Sequence, residues 1–262
     1  MKFIKSTILL LMIATLPAFL SAQAKNKSGE YYQITVYHFT TAAQQAILDS
    51  YLKDAYLPAL HRQQINTVGV FTAIANDTAA DKRLYVIFPV KSLKQAGELS
   101  AKIAKDNEYL SNGKQYLDVP FDSPAYTRME NILLKAFPLA PFMNLPKLSA
   151  PLTERVYELR SYESASEKIF ENKVKMFNEG GEVALFKSLN FNAVFYASVI
   201  AGSHMPNLMY MTTFENMADR DLHWKNFGSS PVWKTLSALP EYQHNVSHID
   251  DIFMRPVSYS DF

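Results

Sequence analysis

The chain writes one pattern twice. Val70-Phe71 recurs as Val194-Phe195, Leu84 as Leu208, Leu93 as Met217 and Tyr109 as Trp233, all at a single offset of 124 residues. One spacing kept across four successive elements marks an internal duplication, and a duplicated unit restricts the chain to two copies of one supersecondary arrangement. Each copy opens on an alternating apolar and polar stretch, Tyr31 to Tyr37 in the first and Arg155 to Tyr162 in the second, which reads as a strand.

The elements that follow give the unit its order. Thr41 with Gln44 three residues on matches a capping box, and Ile47, Leu48, Tyr51, Leu52, Ala55 and Tyr56 then recur at helical spacing until Pro58, which is expected to disrupt the last turn. Strands are expected over 68–74 and 84–90, a second helix from the Ser92-Leu93-Lys94-Gln95 box, and a fourth strand within 126–137. In the second copy Ser164 with Glu167 is the expected box, Gly180-Gly181 ends the helix, a hairpin turns at Gly202 to Pro206, a helix starts near Asn216, and a last strand covers 247–254. This is β-α-β-β-α-β, the ferredoxin-like unit, whose antiparallel sheet carries helices on one face and needs a cover on the other. The expected fold class is therefore α+β, with two tandem ferredoxin-like domains pairing sheet to sheet as an intrachain α/β barrel. The expected divisions are a signal peptide over 1–24, a first domain over 30–137, a Pro-rich linker over 138–151 and a second domain over 152–262. Four prolines make the linker semi-rigid, and its apolar residues suit a path along the protein surface.

The leader is read from Lys2 and Lys5, an uncharged apolar run of 14 residues from Thr7 to Leu20, and a closing Ala22-Gln23-Ala24. That run is short of the ~20 residues that span a bilayer, so it implies export with cleavage after Ala24 and a periplasmic or secreted protein. Removing it leaves 24 basic against 25 acidic residues, a formal charge of −1 with no long run of either sign. Such balance excludes an electrostatic footprint for nucleic acid, and no membrane-integral segment is expected after cleavage. The partners left are a small-molecule ligand, a protein, or a second copy of the chain. Absence of cysteine excludes disulfides, thiolate metal sites and a cysteine nucleophile.

Candidate residues are few. Alternation along the second copy's opening strand puts Tyr157 and Leu159 on one face and Glu158, Arg160 and Tyr162 on the other, with Gln33, Thr35 and Tyr37 as counterparts. With apolar residues expected under the helices, the polar set is expected to line the barrel interior, where Tyr196 and His248 would complete a ligand pocket. A purely structural Glu158–Arg160 pair is the alternative. His244, His248, Asp250 and Asp251 can be drawn as a two-histidine, one-carboxylate metal set, but His244 precedes the strand that holds His248, and no metal is expected. His204 reads as a solvated hairpin-tip histidine, no histidine stands out as an axial haem ligand, and no cofactor is expected. Trp224 and Trp233 read as core packing, and the methionines as gap fillers.

Tyr157-Glu158-Leu159-Arg160-Ser161-Tyr162, the hairpin at 202–207, Ala218-Asp219-Arg220, Ser230-Pro231-Val232-Trp233 and Arg255-Pro256 together resemble the NIPSNAP family of the dimeric α/β-barrel superfamily. Tyr56 to Arg62 followed by Val68-Gly69-Val70-Phe71 is similar to the amino-terminal copy of bacterial tandem members. Where the family usually has Asp-Pro before the tryptophan this chain has Ser230-Pro231, and the first copy keeps Asp106; either Asp or Ser can cap a helix. The resemblance implies the barrel but carries no catalytic set. Two functions follow: an exported protein that binds a small ligand or partner in or around the barrel, or, by analogy with the superfamily, a barrel enzyme of the monooxygenase or haem-degrading type.

Overall fold

A computed structural model describes residues 29–262. The expected leader lies outside the described residues. The first repeat runs β1 (Tyr31–Phe39), α1 (Ala42–Tyr51), α2 (Leu57–Arg62), β2 (Gly69–Ala73), β3 (Lys82–Val90), α3 (Leu93–Ile103), α4 (Asn107–Asn112), α5 (Lys114–Leu117) and β4 (Arg128–Ala136). The second runs β5 (Val156–Glu163), α6 (Glu167–Asn178), α7 (Glu182–Ser188), β6 (Phe195–Ala201), β7 (Asn207–Phe214), α8 (Met217–Ser229), α9 (Pro231–Ala238) and β8 (His248–Pro256). The offset of 124 carries β3 onto β7, α3 onto α8 and α4 onto α9.

The eight strands close into one antiparallel barrel in the order β1-β3-β2-β8-β5-β7-β6-β4. Each repeat supplies a four-stranded sheet, and the two sheets join at two seams. One pairs Phe71, Thr72 and Ala73 of β2 with Pro256, Arg255 and Met254 of β8. The other pairs β4 with β6 and carries a register shift between Leu133 and Leu134. Closure removes the exposed edges that a lone sheet would present.

Local chemistry explains the element ends. Thr41 accepts from Gln44 N–H while the Gln44 side chain reaches back to the cap, as the box requires. Pro58 does not end its helix. A π-helical stretch over Leu52–Tyr56, with Leu57 N–H reaching back to Leu52 O, widens the turn so that Pro58 falls in the first turn of α2, where a missing N–H is tolerated. In the second repeat Ser166, not Ser164, caps α6 by accepting from Ile169 N–H. Ser164 donates to Asn245 O instead, tying the end of β5 to the loop before β8. Gly181, at φ +90, turns the chain into the short helix α7, which sequence periodicity does not reveal. Asp106 caps α4 with bonds from Glu108 and Tyr109 N–H, but Ser230 makes no such bond and α9 starts on Pro231 alone.

Three large apolar clusters and a small one around Met176, Leu236 and Tyr242 fill the described residues. Tyr32, Ile34, Val36, Phe71, Tyr85 and Ile87 from the first repeat meet Tyr157, Leu159, Ala197, Met209, Met211 and Met254 from the second inside the barrel. A second cluster lies between the first sheet and its helices, a third between the second sheet and its own. The connector threads along this body: Met143 N–H donates to Glu30, Asn144 N–H to Val194 O, and Ser149 and Ala150 N–H to the Glu215 carboxylate.

Candidate functional site

The alternation of β5 is as expected, but its sides are reversed. Tyr157 and Leu159 face the barrel interior, whereas Glu158, Arg160 and Tyr162 lie under the helices. The interior is the apolar side because both sheets bury there together, and the polar set is covered by α8. Glu158, with no exposed surface, accepts from Arg160 Nη1 (2.8 Å), Arg220 Nη2 (2.7 Å) and Trp224 Nε1 (2.7 Å), and Arg220 Nε approaches at 3.1 Å. Arg160 Nε also lies 2.9 Å from Asp251 Oδ1, and its guanidinium sits 4.3 Å over the Trp224 ring. Burial lifts the Asp251 carboxyl above its ordinary range against the pull of Arg160. A carboxylate bonded this fully is a structural ion pair.

The remaining expected residues scatter. Tyr162 donates to or accepts from Tyr210 at 2.8 Å, and burial pushes its phenol up to about 12 although Arg160 opposes the shift. Tyr196 stacks on Tyr210 with ring centroids 5.6 Å apart, so both belong to the aromatic core. His248 stands at the barrel mouth with Nε2 3.1 Å from Asp250 Oδ1. Asp250 and Asp251 point to opposite faces of β8, which divides the metal set drawn from sequence.

Tyr37 joins a group that sequence spacing does not assemble. Between the first sheet and α3 lies a cleft of about 330 Å³ walled by Tyr37, Tyr51, Tyr56, Tyr109 and Tyr116, with Gln33, Thr35 and Asn131 on the sheet side. Tyr51 and Tyr116 stack at 3.7 Å, and the Tyr51 and Tyr109 hydroxyls are 3.1 Å apart. Asn131 Oδ1 accepts from Thr35 Oγ1 at 2.8 Å and from Gln33 Nε2 at 3.3 Å. Burial raises the Tyr37, Tyr51, Tyr56 and Tyr116 phenols above their ordinary value, so each keeps its O–H. No charged side chain lines this cleft. Its counterpart in the second repeat is the space that the Glu158 network and Trp224 fill.

A smaller cavity of about 120 Å³ opens at the barrel mouth. Ile34, Val36, Leu159 and Met209 form its apolar floor, and His38, Glu130, Ser203, His204, Asn207 and Asp250 stand around it. His38 bridges Asp81 through Nδ1 (3.0 Å) and Glu130 through Nε2 (3.1 Å). Burial would raise the Asp81 carboxyl, but hydrogen bonds from His38 and Arg83 hold it below its ordinary range. Across the mouth His204 Nδ1 lies 2.8 Å from Glu163 Oε1.

The sequence of the second repeat, residues 157–261, matches the NIPSNAP family model. This repeat is a NIPSNAP domain. The NIPSNAP match takes in β5 through β8, and so includes the Glu158 network and one side of the barrel mouth. No curated protein matches the chain in sequence. Among solved structures, a protein of Lactobacillus acidophilus named as a candidate monooxygenase is 12% identical, with a TM-score of 0.54, covering 87% of this chain and 94% of that one. A second candidate monooxygenase, from Fusobacterium nucleatum, is 5% identical with a TM-score of 0.55, covering 87% and 93%. A NIPSNAP family protein of Agrobacterium tumefaciens is 17% identical with a TM-score of 0.36, covering 41% of this chain and 98% of its own. At these identities the first two show the fold alone, over most of both chains.

Proposed function

We propose that this NIPSNAP-domain protein is an exported binding protein for a small, uncharged, flat organic molecule, held in the tyrosine-walled cleft of the first repeat. The observation that carries the reading is that cleft: about 330 Å³, five tyrosines, four further amide or hydroxyl side chains and no charge. A volume at the lower end of the ~300–1,000 Å³ found for small-molecule sites suits a ligand of one or two rings. Phenol rings offer stacking faces, and their retained O–H groups, with Gln33, Thr35 and Asn131, offer hydrogen bonds to a carbonyl or hydroxyl oxygen. Binding is favoured over turnover because no histidine or carboxylate lines the cleft to move a proton near neutral pH.

The test is titration of the mature chain with 2-naphthol and 1,4-naphthoquinone by calorimetry, beside an Ala96→Phe variant that fills the cleft from α3. Binding by the native chain that weakens at least tenfold in the variant, with unchanged thermal unfolding, is expected. No heat with either probe, or equal affinity in both chains, refutes the assignment. Export is supported by Lys2, Lys5 and the Ala22-Gln23-Ala24 motif. Amino-terminal sequencing of the periplasmic protein should begin at Lys25, and an intact leader would exclude cleavage there.

A further inference from the structure

Three strand ends meet at one side of the barrel mouth. β5 closes on Glu163, β7 opens on Asn207 and β8 opens on His248, and the ladders pair Glu163 with both Asn207 and His248 and Ser161 with Asp250. Alternation turns Glu163, Asn207 and Asp250 to the same face as Leu159, Met209 and Ile252, which is the interior. The hairpin tip between β6 and β7 places His204, at φ +66, over this spot. Donor atoms of Glu163, His204 and Asp250 then lie within 4.8 Å of one another.

We propose that Glu163, His204 and Asp250, with Asn207 Oδ1 beneath them, form a divalent transition-metal site at the barrel mouth. Two carboxylates drawn together around one imidazole give a formal charge of −2 if the imidazole is neutral, matched to a divalent ion. Their spacing also fits. Two ligand bonds of about 2.1 Å set donor atoms roughly 3.0 Å apart at a right angle and about 3.4 Å apart in a tetrahedron. The His204–Glu163 separation of 2.8 Å is already close; the Asp250 and His204 side chains are 41% and 57% exposed, and Asp250 closes the rest by exchanging its 3.1 Å contact with His248 for the ion.

Asn207 supplies the independent observation. It is 2% exposed, its Nδ2 donates to Ser161 Oγ at 2.8 Å, and its Oδ1 has no hydrogen-bond partner although it is fully buried. A buried carbonyl oxygen left unpaired is costly, and Asn207 is one of the residues lining the cavity that His204 and Asp250 also line. A cation there would satisfy it. The surroundings agree: Glu130 faces the same cavity, while the one arginine lining it, Arg83, is engaged with Asp81 at 3.1 Å. One imidazole nitrogen with three oxygens suits manganese, iron or zinc better than a soft, thiolate-seeking ion.

The experiment uses the mature chain without a histidine tag, stripped with chelator and titrated with Mn²⁺ and with Zn²⁺ by calorimetry; Co²⁺ absorption reports the coordination. One equivalent should bind. His204→Ala and Asp250→Asn should each weaken binding ten- to a hundredfold, the range seen when a ligand's support is lost, and Asn207→Asp should tighten it. His61→Ala, at a remote surface pair with Asp261, should leave it unchanged. Thermal unfolding of the metal-free variants should match the parent, because His204 and Asp250 lie at the surface. No stoichiometric uptake by the native chain overturns the site, as do His204→Ala and Asp250→Asn variants that keep affinity within twofold. These readouts do not involve the tyrosine cleft, so either assignment can fail without the other.

Discussion

Replacing Glu158 by glutamine changes almost no volume and removes the fully buried charge at the centre of an ion network. In the native chain the Glu158 carboxylate takes bonds from Arg160, Arg220 and Trp224, all at 2.7 or 2.8 Å. A glutamine offers one acceptor oxygen to these three groups and turns its own N–H₂ toward another donor. Arg160 would then keep only Asp251, and Arg220 only the exposed Asp221, leaving the buried centre with one negative charge too few. Removing one partner of a buried pair costs about 3–5 kcal/mol, because the remaining charge is left without compensation. For a chain of this size each kcal/mol moves the midpoint about 2–4 °C, so a fall of roughly 6–20 °C is expected. Calorimetric unfolding of Glu158→Gln, Arg160→Met and the double variant supplies the measurement. The double variant should lose clearly less than the sum of the singles, since Arg160→Met removes one of the stranded charges. A loss below about 1 kcal/mol in Glu158→Gln, or strict additivity, would falsify the claim that this network is held together by its charge.

Lys173→Met should destabilise the protein in a pH-dependent way, because Lys173 Nζ lies 2.8 Å from the Glu182 carboxylate and both are buried. Burial already raises the Glu182 pKa with Lys173 opposing, so in the variant the native state holds the proton still more strongly than the unfolded chain. The variant's deficit should therefore be small where Glu182 is protonated in both chains and grow as pH rises through the parent's raised Glu182 pKa; urea midpoints at pH 4 and pH 7 check the sign, and a deficit constant across that range would refute it. Cleavage at a protease site inserted after Asn144 should leave the two halves bound together, since the barrel interior draws on both and both seams cross between them. Two soluble, folded monomeric halves in gel filtration would contradict this.

Much of the fold is legible in the sequence because its signals are local. Thr41 with Gln44, the caps at Ser92 and Asn216, and the strand periods all act within a few residues. The barrel's inner face is not legible for a physical reason. β5 is buried at every position but its last and β7 at all eight, since helices cover one face and the opposite sheet covers the other. With both faces apolar on average, polarity along the strand marks only where partners exist. Glu158 finds them in Arg220 and Trp224, more than sixty residues away, so the polarity of β5 alone does not tell which side Glu158 takes. The tyrosine cleft and the barrel mouth share that difficulty. Tyr37, Tyr51 and Tyr109 come from three elements, and Glu163, His204 and Asp250 from two strands and a hairpin tip, so no spacing along the chain announces either group.

The closure of the barrel within one chain has a consequence for how the protein can change. A barrel made from two identical chains repeats every substitution on both sides of its axis, so a cleft opened in one half opens in the other and any stability lost is lost twice. Here the halves are written separately. The second repeat packs the space beneath its helices with Glu158, Arg160, Arg220 and Trp224, while the first keeps the same space hollow and lined with tyrosine. Rigidity and vacancy are thus divided between two descendants of one unit, and selection on one need not pass through the other.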